Sequence, residues 1–360
     1  MSRTATTVHR RRVIHLGDRS LLWRPRPVVL GAGLAAAVLM LVAVSVTRGD
    51  FTLPLLDVLS VLAGGGDATQ QLVVLQMRLP RALTGALVGA ALGMAGAVTQ
   101  SVTRNPLGSP DVLGITYGAG TAAVAVITLT GASVPVMAAS WTAVSWSLPA
   151  AAVLGGLVTA AAVYLLAWRD GVDGYRLVLI GIGVGALCAA VTSWLLIRAD
   201  IVEAARASVW LTGSLNGRGW EHVTPLAITL AVAGAALLAA GSTLSLLAFG
   251  EETTRVLGVR VQTGRAVVIV LAVVLTSVAT AAAGPVAFVA LVAPQIAVRL
   301  IGAATPPLAT SGLTGAVLLL LCDLTARTAL PVELPVGVVT AVVGAPYLIY
   351  LLVSARRVTA

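Results

Sequence analysis

Apolar residues in this chain fall into long unbroken runs, not into the alternation of a half-buried strand or the single stripe of an amphipathic helix. Ten runs read as membrane spans: 28–46, 82–102, 113–129, 148–167, 177–197, 223–240, 266–283, 284–298, 308–326 and 336–353. At ~1.5 Å per residue, the run 82–102 is ~31 Å long, close to the ~30 Å hydrocarbon core of a bilayer. The seventh and eighth runs nearly touch, and the Gly-Pro of "AAAGPVAF" (Ala281 to Phe288) divides them. The pattern predicts an all-α, polytopic membrane protein of about ten transmembrane helices. A basic tail (1–27) precedes the membrane domain (28–353), and a short tail (354–360) follows it.

Composition agrees. Of 360 residues, 58% are hydrophobic and 10% charged, whereas soluble domains are nearer a quarter charged. All 23 basic residues are arginine. A P-loop needs the lysine of G-x-x-x-x-G-K-[ST] to reach phosphates, so this chain cannot be a standard ATPase by itself. The net charge of +9 does not imply nucleic acid. Seven arginines lie in the first 26 residues and many others flank apolar runs, which is the bias of membrane topology and not a nucleic-acid-binding face. The N-terminus lacks the small-residue site of a cleavable signal. Cys188 and Cys322 stand in separate apolar runs and read as buried thiols acting as small hydrophobes.

Ten spans put both termini on one side. With the N-terminus inside, sixteen arginines fall inside and seven outside: Arg48, Arg78, Arg81, Arg198, Arg206, Arg218 and Arg327. The excess predicts cytoplasmic N- and C-termini. It also places "RLPR" (Arg78 to Arg81) outside and the proline-rich turn "RNPLGSP" inside. Arg78 and Arg81 are three apart at an expected helix start, with Pro80 placed for the first turn, so they share a face.

Glycines 85, 89 and 93 repeat every four residues, as do Gly181 and Gly185. Such faces let helices approach closely in lipid. Asp323 is the one charge clearly inside a run. His9, His15 and His222 lie outside the runs or at an edge. There is no nucleophile–base pairing, no metal-ligand spacing and no carboxylate relay, so catalysis has no support and energy is expected from another chain. An ion-coupled secondary transporter remains the alternative transport reading. A membrane scaffold that moves nothing is a further one.

Five ordered blocks resemble the permease subunits of type II ABC importers, the FecCD/BtuC-like family that takes up ferric siderophores, haem and vitamin B12. They are "RLPRALTGALVGAALGMAGAVTQSVTRNPLGSPDVLG" (Arg78 to Gly114), "WLTGSLNGRGW" (Trp210 to Trp220), "LSLLAFGEETTRVLGVRV" (Leu244 to Val261), "GPVAFVALVAPQIAVRLIG" (Gly284 to Gly302) and "DLTARTALPVELPVGVVTAVVGAP" (Asp323 to Pro346). The resemblance covers nearly everything after residue 50. "RNPLGSPD" and the extension ending "LLWRPRP" look closer to siderophore permeases than to B12 permeases. They are most similar to the second permease of ferric-enterobactin-type systems. One position departs: Gln295 follows Pro294 where the family usually has His.

The resemblance implies the type II importer permease fold in a bacterial plasma membrane, and import of a ferric siderophore, with haem or B12 as alternatives. It implies partners: a second permease subunit, two ATPase subunits that bind ATP and magnesium, and a substrate-binding protein. No cofactor is expected in this chain. By the same resemblance, Arg78, Arg81 and Arg327 receive carboxylates of the binding protein, although interfacial snorkelling would also place arginines there. Asn105 and Leu107 would line a cytoplasmic gate. Gly250, Glu251, Glu252, Arg255 and Gly258 would form the short helix that docks on the ATPase, with the Arg299 to Pro307 loop as a second contact. "WLTGSLNGRGW" would supply a short helix at the outer mouth, and its Trp210 and Trp220 suit the headgroup belt.

Overall fold

The structure, a computed structural model, describes residues 12–16, 19–23, 25–49, 53–130, 141–169, 171–249, 261–329 and 331–356. A two-stranded antiparallel hairpin, β1 (Arg12–Leu16) and β2 (Arg19–Trp23), stands before the first helix. The rest is helical: α1 (Pro25–Thr47), α2 (Leu55–Leu62), α3 (Ala68–Thr103), α4 (Ile115–Thr130), α5 (Trp141–Ala167), α6 (Gly174–Arg198), α7 (Ile201–Leu211), α8 (Trp220–Ala239), α9 (Gly241–Phe249), α10 (Val261–Ala283), α11 (Val289–Ile301), α12 (Leu308–Thr328) and α13 (Val336–Arg356). Among the described residues, seven helices are long and apolar enough to cross a membrane, and three more are apolar but shorter. These ten correspond in order to the ten runs.

Helix α3 is the hub. It packs on α12, α10 and α11, and α1 lies over α12 and α3; α4, α5 and α6 form a second group joined through α10. Small residues make this possible. A Cβ at Gly89 would fall on the Gly315 carbonyl, one at Gly93 on that of Ser311, and one at Gly96 on that of Ala290. Ala290 lies four residues before Pro294, which has no N–H to offer it. Gly96 therefore brings α3 against a carbonyl that has lost its helical donor. Gly181 also packs tightly on Leu113, where a Cβ would sit 2.7 Å from the Leu113 Cα, whereas Gly185 has ordinary contacts.

Several expectations are corrected. Arg78 and Arg81 do not begin a helix. The helical run starts at Ala68, capped by a reciprocal Asp67–Gln70 box, and passes through a π-helical stretch, Leu72–Arg78. There the Leu79 N–H donates to the Val74 carbonyl, five residues back. The wider turn directly before Pro80 relieves the clash a proline ring makes with the preceding α-helical turn. The eighth span starts at Val289, not 284. Gly284 (φ +75°) and Phe288 (φ +67°) both take left-handed conformations, so residues 284–288 are a break. The helix that follows has 13 residues, ~20 Å, too short to cross alone.

The short helix at the second family block is α7, which ends on the motif's first two residues; "TGSLNGRG" itself is a turn with Gly213 and Gly217 at positive φ. Trp210 is not in a headgroup belt but buried among Ala119, Ala123, Ala152 and Ala281. Trp220 is partly exposed, and its Nε1 donates to the Leu75 carbonyl at 2.9 Å. Cys322 is buried as expected, while Cys188 is only half-buried.

Candidate functional site

The two ends of α3 carry the polar chemistry. At its N-terminal end, Arg81 reaches Asp323 of α12 with Nη2 (2.8 Å) and Nε (3.2 Å), and Glu333 with Nη1 (2.5 Å). Arg327, one turn beyond Asp323 on α12, approaches the other carboxylate oxygen at 3.1 Å. It also donates to the hydroxyl and the carbonyl of Ser45. Arg78 donates to the Val46 carbonyl at 3.0 Å. Two arginines from separate helices thus cap the C-terminal carbonyls of α1, where the helix dipole is negative.

Arg78, Arg81 and Arg327 are therefore brought to one place, as the resemblance implied. What sequence reasoning missed is that Arg81 and Arg327 have carboxylates of this chain as partners. Asp323 was visible as a lone charge in an apolar run, and a buried carboxylate must be paired, but its partner lies 242 residues away. Glu333 had no signal beyond its place between two prolines.

At the other end, Arg104 closes α3 in a left-handed conformation (φ +50°). The Asn105 Oδ1 then accepts the Leu107 N–H at 2.9 Å, so the asparagine holds the turn through the backbone. Both residues are half-buried. One turn earlier, Gln100 donates from Nε2 to the Leu291 carbonyl (3.0 Å) and accepts from Gln295 Nε2 (2.7 Å). Gln295 thus joins α11 to α3 with neutral groups.

Ser45, Val46, Leu75, Arg78, Arg81, Trp220 and Arg327 collect at one end. Thr103, Gly174, Val172 and Arg265 collect at the other, where the Arg265 guanidinium donates to the Val172 carbonyl.

Between the ends, a cleft of ≈ 820 Å³ opens on one side, bounded by α4, α6, the end of α7, the 284–288 break and α13. Its described lining is mostly apolar, with one carboxylate, Asp111, and no cation. Asp111 accepts from Thr116 Oγ1 at 2.5 Å. Burial pushes its carboxyl up, and the threonine bond pulls it partly back. Phe288, left-handed and bulky, is at this wall. Such a conformation is uncommon for a bulky residue, and Gly344 of α13 approaches the Phe288 side chain so closely that a Cβ there would collide with it. The Gly-Pro of the fourth block was the only sequence signal for the cleft. Gly250, Glu251, Glu252, Arg255 and Gly258 lie outside the described residues. The described residues contain no group of three His, Cys, Asp or Glu that could hold a metal.

The FecCD transport family model matches residues 37–354. The chain belongs to that family. It is 43% identical over 312 residues to the ferric enterobactin transport system permease protein FepG of Escherichia coli, covering 86% of this chain and 91% of that one. It is 40% identical over 327 residues to a siderophore transport system permease protein, YfhA, of Bacillus subtilis, covering 90% and 93%. The iron(3+)-hydroxamate import system permease protein FhuG of the same bacterium is 35% identical over 333 residues, with 92% and 98% covered. Among solved structures, a metal-chelate type ABC transporter in an inward-facing conformation superposes with TM-score 0.79 and 30% identity, covering 91% of this chain and 99% of that one. As a FecCD member with seven long apolar helices among its described residues, the chain is a multi-pass membrane transport subunit.

Proposed function

We propose that this FecCD protein is the membrane-spanning permease subunit of an ATP-driven importer that carries a ferric siderophore across a bacterial plasma membrane. The observation that carries the reading is the superposition on nearly the whole of a metal-chelate ABC transporter chain. The iron-chelate permeases matched over most of the sequence support it as well. A second permease subunit, the same or different, closes the open side of the cleft, so the pathway runs between the two subunits. Two ATPase subunits bind ATP and magnesium and meet Gly250, Glu251, Glu252, Arg255 and Gly258, with the loop after Arg299 beside them.

The sixteen-to-seven arginine split orients both termini to the cytoplasm. The arginine end of α3 then faces outward and receives carboxylates of a substrate-binding protein, for which the planar guanidinium fork is suited. The opposite end, with Asn105 and Leu107, is the cytoplasmic gate: the asparagine holds the turn and the leucine seals by apolar contact. ATP-driven closure of the ATPases moves the inner loops and alternates access.

The test is uptake of ferric siderophore into vesicles holding the purified assembly with its co-purifying subunits. Uptake should require ATP and the binding protein, stop with vanadate and persist with ionophores. Uptake that collapses with ionophores and ignores vanadate would instead establish an ion-coupled carrier.

A further inference from the structure

The arginine end of α3 holds two carboxylates of very different standing. Asp323 is enclosed, with 1% of its side chain exposed, and is shared by Arg81 and Arg327. It cannot leave without stranding a largely buried guanidinium, a costly state. Glu333 is 40% exposed and touches Arg81 through Nη1 alone. It sits on the connection 331–335 between α12 and α13, beside the exposed Val332. The three nitrogens of Arg81 are thus divided: Nε and Nη2 face the fixed carboxylate, and Nη1 faces the movable one. With both carboxylates in place, the charges of Arg81 and Arg327 are balanced one for one. Glu333 thus offsets charge that Arg81 would otherwise present to an acidic surface approaching this end.

We propose that Glu333 is a tethered internal occupant of the docking site, and that it sets docking strength by competing with the partner's carboxylate for Nη1 of Arg81. The proposal rests on the reading of this end as the place where an acidic binding-protein surface docks. Its physical content is an exchange: one carboxylate replaces another on the same guanidinium, so the net gain is small and the partner can be released after delivery. Loss of the internal competitor leaves Nη1 open and raises the net charge of the end by one.

The experiment titrates the substrate-binding protein that co-purifies with the assembly onto that assembly in nanodiscs, at low and at physiological salt. Glu333→Gln should bind roughly threefold to fivefold tighter, the scale of a solvent-exposed ion pair, with a steeper salt dependence. Glu333→Asp, one methylene shorter, should shift the same way. Arg81→Gln, which leaves Asp323 its contact with Arg327, should weaken binding. If Arg81→Gln weakens binding while Glu333→Gln leaves it unchanged or weaker, the competition is overturned and the docking reading stands. If Arg81→Gln binds like wild type, the docking reading itself fails, and the role of Glu333 with it.

Discussion

The two ends of α3 solve one problem with different chemistry. Each must join helices far apart in sequence with polar groups taken out of water. The arginine end does so with charges: Arg81 and Arg327 share Asp323, and Arg78 and Arg327 cap α1. The opposite end uses neutral amides: Gln100 with Gln295, and Asn105 with the Leu107 N–H. A desolvated ion pair gains little over an apolar contact while intact, yet breaking it is expensive. An amide pair costs less to bury and less to lose. The charged end is therefore the one that resists partial change and the one an acidic partner can influence. The amide end holds its shape whatever approaches, which suits a turn that must keep one geometry.

The comparison breaks most readily at Asp323. Asp323→Ala should cost about 3–5 kcal/mol, since two arginines lose the carboxylate they share. Gln295→Ala, the matching deletion at the other end, should cost about 1 kcal/mol. Denaturant unfolding of the purified chain in detergent measures both, and equal costs would remove the distinction between the ends.

A smaller effect is expected at the turn. Asn105→Ala removes the bond to the Leu107 N–H and should destabilise by about 0.5–1.5 kcal/mol. Asn105→Asp, which keeps an acceptor at that position, should recover most of it. If both variants unfold alike, the side-chain bond does not hold the turn.

The smallest effect concerns Asp111, beyond the amide end. Burial raises its carboxyl above the ordinary range, so the folded chain holds this proton more tightly than the unfolded chain does. Stability from this group is gained as pH falls through the folded value towards the unfolded one, and is lost again as pH rises. Asp111→Asn should be more stable than wild type at neutral pH, and the gap should narrow on mild acidification. Thermal unfolding at several pH values measures this, and a gap that widens on acidification would mean Asp111 is stabilised as the carboxylate.

Much of this architecture was legible in the chain. The ten apolar runs became ten apolar helices in order, because a run ~30 Å long with no charge has no stable home but lipid or a protein core. The glycines every fourth residue of α3 announced a face that touches backbone, and Gly89 and Gly93 do touch carbonyls of α12. Arg78, Arg81 and Arg327 gather at one end of α3 and Arg104 closes the other for the same reason, since charge stays at the edges of an apolar slab.

Tertiary structure alone decided who pairs with whom. Nothing local tells Arg81 that its partners are Asp323 and Glu333, or Gln100 that its partner is Gln295, 195 residues on. Such pairs depend on which helices lie side by side. The break at 284–288 was hinted at by Gly284 and Pro285, but the left-handed Phe288 was not, because a bulky residue takes that conformation only when its surroundings compel it. The π turn ahead of Pro80 is similar: a proline reads as a helix start, and only packing on both sides keeps the helix running through it. Apolar length determines what enters the membrane. The polar exceptions acquire meaning only from the neighbours that folding puts beside them, because a buried charge or amide is tolerable only where a partner already stands.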